Sequence, residues 1–181
     1  LTCATGNFEL TPYSTELSEE RILIKTRIAC WHSHFSAIRD AATAEVPHVS
    51  LFMEDDVDME VDIQERLSSV WGYLPADWDI VFLGHCWGHE TFHEPLGPPS
   101  RLATTHIHPS NVPLCMHAYA LSPTEATRLL RHLAHPAFAY SRPIDNAIVW
   151  LIQSGRMKSF SVAPSIVVQR KIDASDVLKG V

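Results

Sequence analysis

The sequence has no apolar run approaching the roughly 20 residues that a membrane-spanning helix needs, so no span is expected in it. It has no excess of base either: 14 Lys and Arg stand against 21 Asp and Glu, a formal net charge of −7. That balance argues against nucleic acid as a partner held through a basic surface. Cysteine is sparse. Cys3, Cys30, Cys86 and Cys115 form no C-x-x-C pair, and one or two bridges or four free thiols fit equally well. No N-x-[ST] sequon occurs, which weakens a glycosylated extracellular reading, and the redox compartment stays open. A glycine-rich phosphate loop, a G-x-S-x-G elbow, internal repeats and low-complexity tracts are all missing. What is there is globular: 181 residues, 46% hydrophobic and 19% charged, fit a single domain over 1–181 with a sizeable core.

The most informative stretch is LFMEDDVD, Leu51 to Asp58. An apolar run reads as a buried strand over 48–53 and meets Glu54, Asp55 and Asp56, with Asp58, Glu60 and Asp62 behind them. Clustered carboxylates repel one another without a counter-charge. At a strand end they offer hard oxygen ligands to a divalent cation, in the place where open α/β sheets bind ligands. The plain reading is a solvated acidic turn.

Residues 21–42 read as a long helix, started near Ser18, with an apolar stripe of Ile24, Ile28, Trp31, Phe35, Ile38 and Ala42. Asp62 is placed to cap a second helix that Pro75 stops. Residues 78–83 form a strand with a near-continuous apolar run, as burial on both faces requires, and Gly84 breaks it. Residues 85–113, dense in proline and histidine, read as a long loop. A strand over 114–121 leads into Ser122-Pro123-Thr124-Glu125, a capping box. A short helix spans 143–153, and strands near 158–163 and 165–169 finish the chain. The pattern predicts an α/β fold with a mostly parallel sheet. In that sheet Glu54–Asp56, Gly84-His85 and Ser122 face one cleft.

Three groups could carry chemistry. The first is the acid cluster. The second is Asp145, beside Pro143 and Asn146 in a first helical turn, where the helix dipole favours a carboxylate. The third is Ser33-His34 on the long helix, with a hydrogen-bonded core histidine as the plainer role. The eleven histidines invite a zinc site. However, Cys30-x-His32-x-His34, His85-Cys86-x-x-His89, His106-x-His108 and Cys115-x-His117 match no familiar ligand spacing.

Taken in order, several segments resemble glycosyltransferase family 25, which includes bacterial lipooligosaccharide and collagen galactosyltransferases. They are Ala29-Cys30-Trp31-His32-Ser33-His34-Phe35-Ser36-Ala37, LFMEDDVDM, WDIVFLG, His117-Ala118-Tyr119-Ala120-Leu121-Ser122 and Pro143-Ile144-Asp145. Pro164-Ser165-Ile166-Val167-Val168-Gln169 also fits, so the likeness spans about residues 28–176. The family has Gly where Ala29 stands.

The resemblance implies a GT-A-like nucleotide-sugar-binding fold and an inverting transferase. Its donor would be a UDP-sugar, and its acceptor a glycan, a lipid-linked saccharide or a protein hydroxyl. It implies Mn²⁺ or Mg²⁺ on Asp56 and Glu54, with Asp145 as general base. Glu54, Asp55, Ser33, His34, Gly84, His117, Asn146 and Gln169 would line the donor site. The family opens with a strand near an Asn-Leu-x-x-Arg motif and a helix. No such segment is recognisable here, so the expectation is a domain without its first β-α unit and an unpaired sheet edge beside the acidic strand. A secretory-pathway lumen is slightly favoured over the cytoplasm. Two other readings stand beside the enzyme: a catalytically silent binding module and a zinc-stabilised interaction domain.

Overall fold

The computed structural model describes residues 23–97, 104–136 and 138–170. Cys3, and Ser18 and Arg21 at the expected helix start, lie outside the described residues. The elements run α1 (Lys25–Ala42), β1 (Ser50–Met53), β2 (Val57–Met59), α2 (Ile63–Trp71), β3 (Ile80–Cys86) and β4 (His106–Pro109). They continue with β5 (Leu114–Leu121), α3 (Glu125–Leu133), α4 (Ile144–Gln153), β6 (Ser159–Ala163) and β7 (Val167–Gln169). No described helix is long and apolar enough to cross a membrane.

The fold is mixed α/β, but its sheet is mostly antiparallel, which corrects the expected parallel one. The strand order is β1-β5-β3-β6-β4. Among the described residues only β3 and β6 pair in parallel; β1–β5, β3–β5 and β4–β6 are antiparallel. The cause is the position of β5. β1 and β3 run the same way, as a crossover through α2 requires. β5 then inserts between them in the opposite sense, after the long 87–113 connection has brought the chain back. That connection is not all loop: it contains a 3₁₀ turn over Glu90–Phe92 and the edge strand β4. Among the described residues β1 pairs with β5 alone, so its outer edge is unpaired there.

Both faces of the central strands are buried. Ile80 and Phe82 of β3, with Tyr119 and Leu121 of β5, face one core alongside Trp31, Ile38, Leu129, Leu133, Ile148 and Leu151 of α1, α3 and α4. Val81, Leu83, Ala118 and Ala120 face the other, with Val70 of α2, Ile107, Val162 and Val167. This period-two split places helices on both sides of the sheet. A separate two-stranded ribbon, β2 with β7, extends from the second face.

The antiparallel order also relocates Ser122. Leu121 pairs with both Ser50 and Ile80, at the starts of β1 and β3. Ser122 therefore lies at the opposite end of the sheet from Glu54, and its N–H donates to the Asp79 carbonyl. The capping box does not form either. Glu125 turns inward, with Oε2 2.7 Å from Arg128 Nε, while Arg128 Nη2 reaches Asp79 Oδ2 at 2.6 Å. Asp62 starts α2 without a side-chain cap; it takes Arg66 Nε at 2.6 Å instead.

The buried Glu125 makes a testable demand. Burial, chiefly, pushes its carboxyl up to about 8 from 4.5; Arg128 opposes the shift and Asp79 adds to it. Between those values the folded chain binds more protons than the unfolded one, so this group withdraws stability as pH rises through that window. Glu125→Gln removes the charge and keeps the shape. Thermal melts should show the variant gaining on the parent from about pH 5 to about pH 8, then levelling. A difference that stays constant with pH would contradict the assignment.

Candidate functional site

Because β5 and β4 run against β1, β3 and β6, the carboxyl ends of β1 and β3 meet the beginning of β5. Met53 pairs with Ala118, and the Glu54 N–H continues the ladder to the His117 carbonyl at 2.9 Å. Gly84 also pairs with Ala118, from the other side. This sheet end therefore gathers Glu54, Gly84 and His117. β7 joins it: His117 Nε2 lies 3.1 Å from the Val167 carbonyl oxygen. A Cβ on Gly84 would fall 2.3 Å from His117 Nε2 and 2.4 Å from the Val167 oxygen, so the close approach requires glycine. Gly84 does not end the strand, as expected from sequence; β3 passes through it to Cys86 with register shifts on both sides.

The three acids do not act as one cluster. Glu54 and Asp56 are half-buried, whereas Asp55 is exposed. Gln169 Nε2 donates to Asp56 Oδ2 at 2.8 Å and lies 3.4 Å from Glu54 Oε2. Arg170 ties the turn down from the same strand end: its guanidinium donates to the Asp55 carbonyl at 3.0 Å, and its N–H to the Asp56 carbonyl at 2.7 Å. Asp56 Oδ1 is buried without a hydrogen-bond partner. A buried carboxylate oxygen left unmatched is costly, and a cation would satisfy it. Mg²⁺-type ions are commonly held by one or two carboxylates plus substrate phosphates, and Glu54 with Asp56 fits that donor set.

α1 supplies the other wall. His34 Nδ1 lies 3.0 Å from the Tyr119 hydroxyl, and Nε2 lies 3.6 Å from Glu54 Oε1. Cys30 stands one turn earlier, and its sulfur, a His34 ring nitrogen and a Glu54 oxygen all lie within 4.8 Å of one another. Ser33 is exposed on the same helix. In sequence, the alternation Cys30-x-His32-x-His34 masks the helical spacing of four that puts Cys30 and His34 on one face. His32 instead faces Tyr140, at 3.4 Å.

Asp145 is in the first turn of α4, and its Oδ2 is 3.5 Å from the Cys115 N–H nitrogen at the start of β5. Asn146 holds the other oxygen, through its N–H at 2.8 Å and its side chain at 3.2 Å. Cys115 is disulfide-bonded to Cys86, joining β5 to the end of β3. Trp87, Cys115 and Met116 adopt positive φ angles of 56°, 74° and 35°. Non-glycine residues held there store on the order of 1–3 kcal/mol each, and such positions concentrate at functional sites. The strained backbone is a feature that no sequence signal announced.

No known family profile matches this sequence, and comparison with curated proteins finds no match.

His34 gives a direct check on this geometry. Burial would lower its pKa, but the hydrogen bonds and charges of Cys30 and Glu54 outweigh burial and raise it from 6.5 to about 9. The stabilisation this pairing adds is complete below the unfolded value of about 6.5 and is lost as pH rises through about 9. In chelator-treated protein, the His34 ring should titrate by NMR with a midpoint near the upper value, and Glu54→Gln should bring it down. A midpoint at or below the ordinary value in the parent would refute the contact.

Proposed function

We propose that the chain is a metal-dependent, inverting glycosyltransferase. It would move a sugar, with galactose the common case in the resembled family, from a UDP-sugar to a glycan, lipid-linked saccharide or hydroxylated protein acceptor. The observation that carries this reading is the partnerless Asp56 Oδ1, buried beside Glu54 and Gln169 at a strand end. In this reading Asp56 and Glu54 hold Mn²⁺ or Mg²⁺. An ion held there would supply charge to neutralise the diphosphate leaving group. Gln169 orients both carboxylates. His117 and Gly84 form the floor, where the absence of a Cβ lets the backbone of β7 come close. Asp145 takes the proton of the acceptor hydroxyl, as inversion requires of a general base. Its two oxygens are already oriented by Cys115 and Asn146. The Cys86–Cys115 disulfide supports an oxidising compartment such as a secretory lumen.

A second reading has one observation behind it. Gln169 and Arg170 already satisfy much of the acidic turn from within the chain. That favours a catalytically silent relative, whose turn is a structural fastening.

Two variants separate the readings. Asp56→Asn should abolish Mn²⁺-dependent UDP binding in calorimetry and leave the fold intact. Asp145→Asn should keep that binding and lower sugar transfer by roughly 10²–10⁴. Unchanged UDP binding in the first variant, or equal turnover in the second at saturating donor, contradicts the enzyme reading. Binding without transfer in the parent selects the silent one.

A further inference from the structure

The wall formed by α1 carries donors of a different kind from the acidic turn. Cys30 and His34, four residues apart on one helical face, offer sulfur and nitrogen, and Glu54 adds one oxygen from the end of β1. The same spacing serves paired histidines in helical zinc motifs, because it points both ligands the same way. Zinc bonds of about 2.0–2.3 Å in tetrahedral array set donor atoms roughly 3.3–3.8 Å apart. His34 Nε2 and Glu54 Oε1, at 3.6 Å, already meet that spacing. Cys30 Sγ lies within 4.8 Å of both, so the three donors gather round one point.

The surroundings hold the ligands as metal sites hold theirs. A ligating histidine almost always engages a partner through its second nitrogen, which fixes tautomer and ring orientation. The Tyr119 hydroxyl, on a fully buried ring, occupies that place at His34 Nδ1, 3.0 Å away. Glu54 divides its oxygens: Oε1 faces His34, and Oε2 lies near Gln169. Thiolate and imidazole select a borderline ion over Mg²⁺ or Mn²⁺, which prefer oxygen alone.

We propose that Cys30, His34 and Glu54 form a three-ligand site for Zn²⁺, with the fourth position left to water or an anionic oxygen of a ligand. Binding displaces two protons, the thiol proton of Cys30 and the Nε2 proton of the His34 imidazolium, and leaves both ligand atoms on the ion. The site shares Glu54 with the proposed donor site but does not rest on that reading.

The test uses the whole chain, stripped with chelator and titrated with Co²⁺, then Zn²⁺. One equivalent of Co²⁺ should give the near-ultraviolet thiolate charge-transfer band and tetrahedral visible bands, and Zn²⁺ should displace both. Cys30→Ser should lose the charge-transfer band. Asp56→Asn should keep it. Tyr119→Phe preserves the buried ring, and should keep the band while weakening affinity roughly 10–100-fold. His34→Gln serves as the second ligand variant should Cys30→Ser not fold, and should weaken binding more than Tyr119→Phe does. No band in the parent overturns the site, as does a band that survives Cys30→Ser or disappears in Asp56→Asn. Mn²⁺-dependent UDP binding is measured separately, so failure of this site leaves the transferase reading standing, and the reverse.

Discussion

The phenol of Tyr119 joins the core to the site. Its ring is wholly buried in β5, stacked on Phe52 of β1 at 4.9 Å and tilted against Phe82 of β3 at 6.3 Å. A buried hydroxyl must find a partner or lose on the order of 1–3 kcal/mol. It meets His34 Nδ1, which turns the other nitrogen of His34 toward Glu54. The geometry of the α1 wall thus follows from a packing requirement in the centre of the sheet. Burial also raises the phenol's pKa well above its ordinary value, so it remains a neutral hydroxyl.

β5 is the strand that organises everything else. It lies between β1 and β3, antiparallel to both, so its beginning meets their ends. Glu54 attaches to His117 by the ladder, Gly84 approaches His117 from the other side, and Asp145 reaches Cys115. The Cys86–Cys115 bridge fixes this end covalently. The opposite end, held by Asp79, Arg128 and Glu125, is a structural fastening.

Much of this was legible in the residues. The strand expected over 114–121 has those bounds, and the apolar run 78–83 supplies the first part of β3, Ile80 to Leu83. Strand direction was not legible, because a strand buried on both faces has no alternation to show which way it pairs. The 85–113 segment concealed β4, whose histidines and proline carry little strand signal. β2 is three residues long and depends on β7 for its pairing, a non-local cause. Ser122 and Glu125 carry a cap pattern, yet burial against Arg128 turned Glu125 inward. Of the expected site residues, Glu54, Asp56, Gly84, His117, Gln169, His34 and Asp145 come to one sheet end. Asp55 and Ser33 are exposed, and Cys30, visible in sequence only within Cys30-x-His32-x-His34, joins the site through its helical spacing to His34.

The central claim is that this sheet end binds a nucleotide sugar through a divalent ion. A thermal-shift series of UDP- and other nucleotide sugars, each with and without Mn²⁺, tests it most directly. A ligand present at 100 times its dissociation constant adds about 2.7 kcal/mol, or several degrees of melting temperature for a chain of this size. The account predicts such a shift for a UDP-sugar only when Mn²⁺ is present. A melting temperature that no nucleotide sugar moves, with or without the ion, would contradict it.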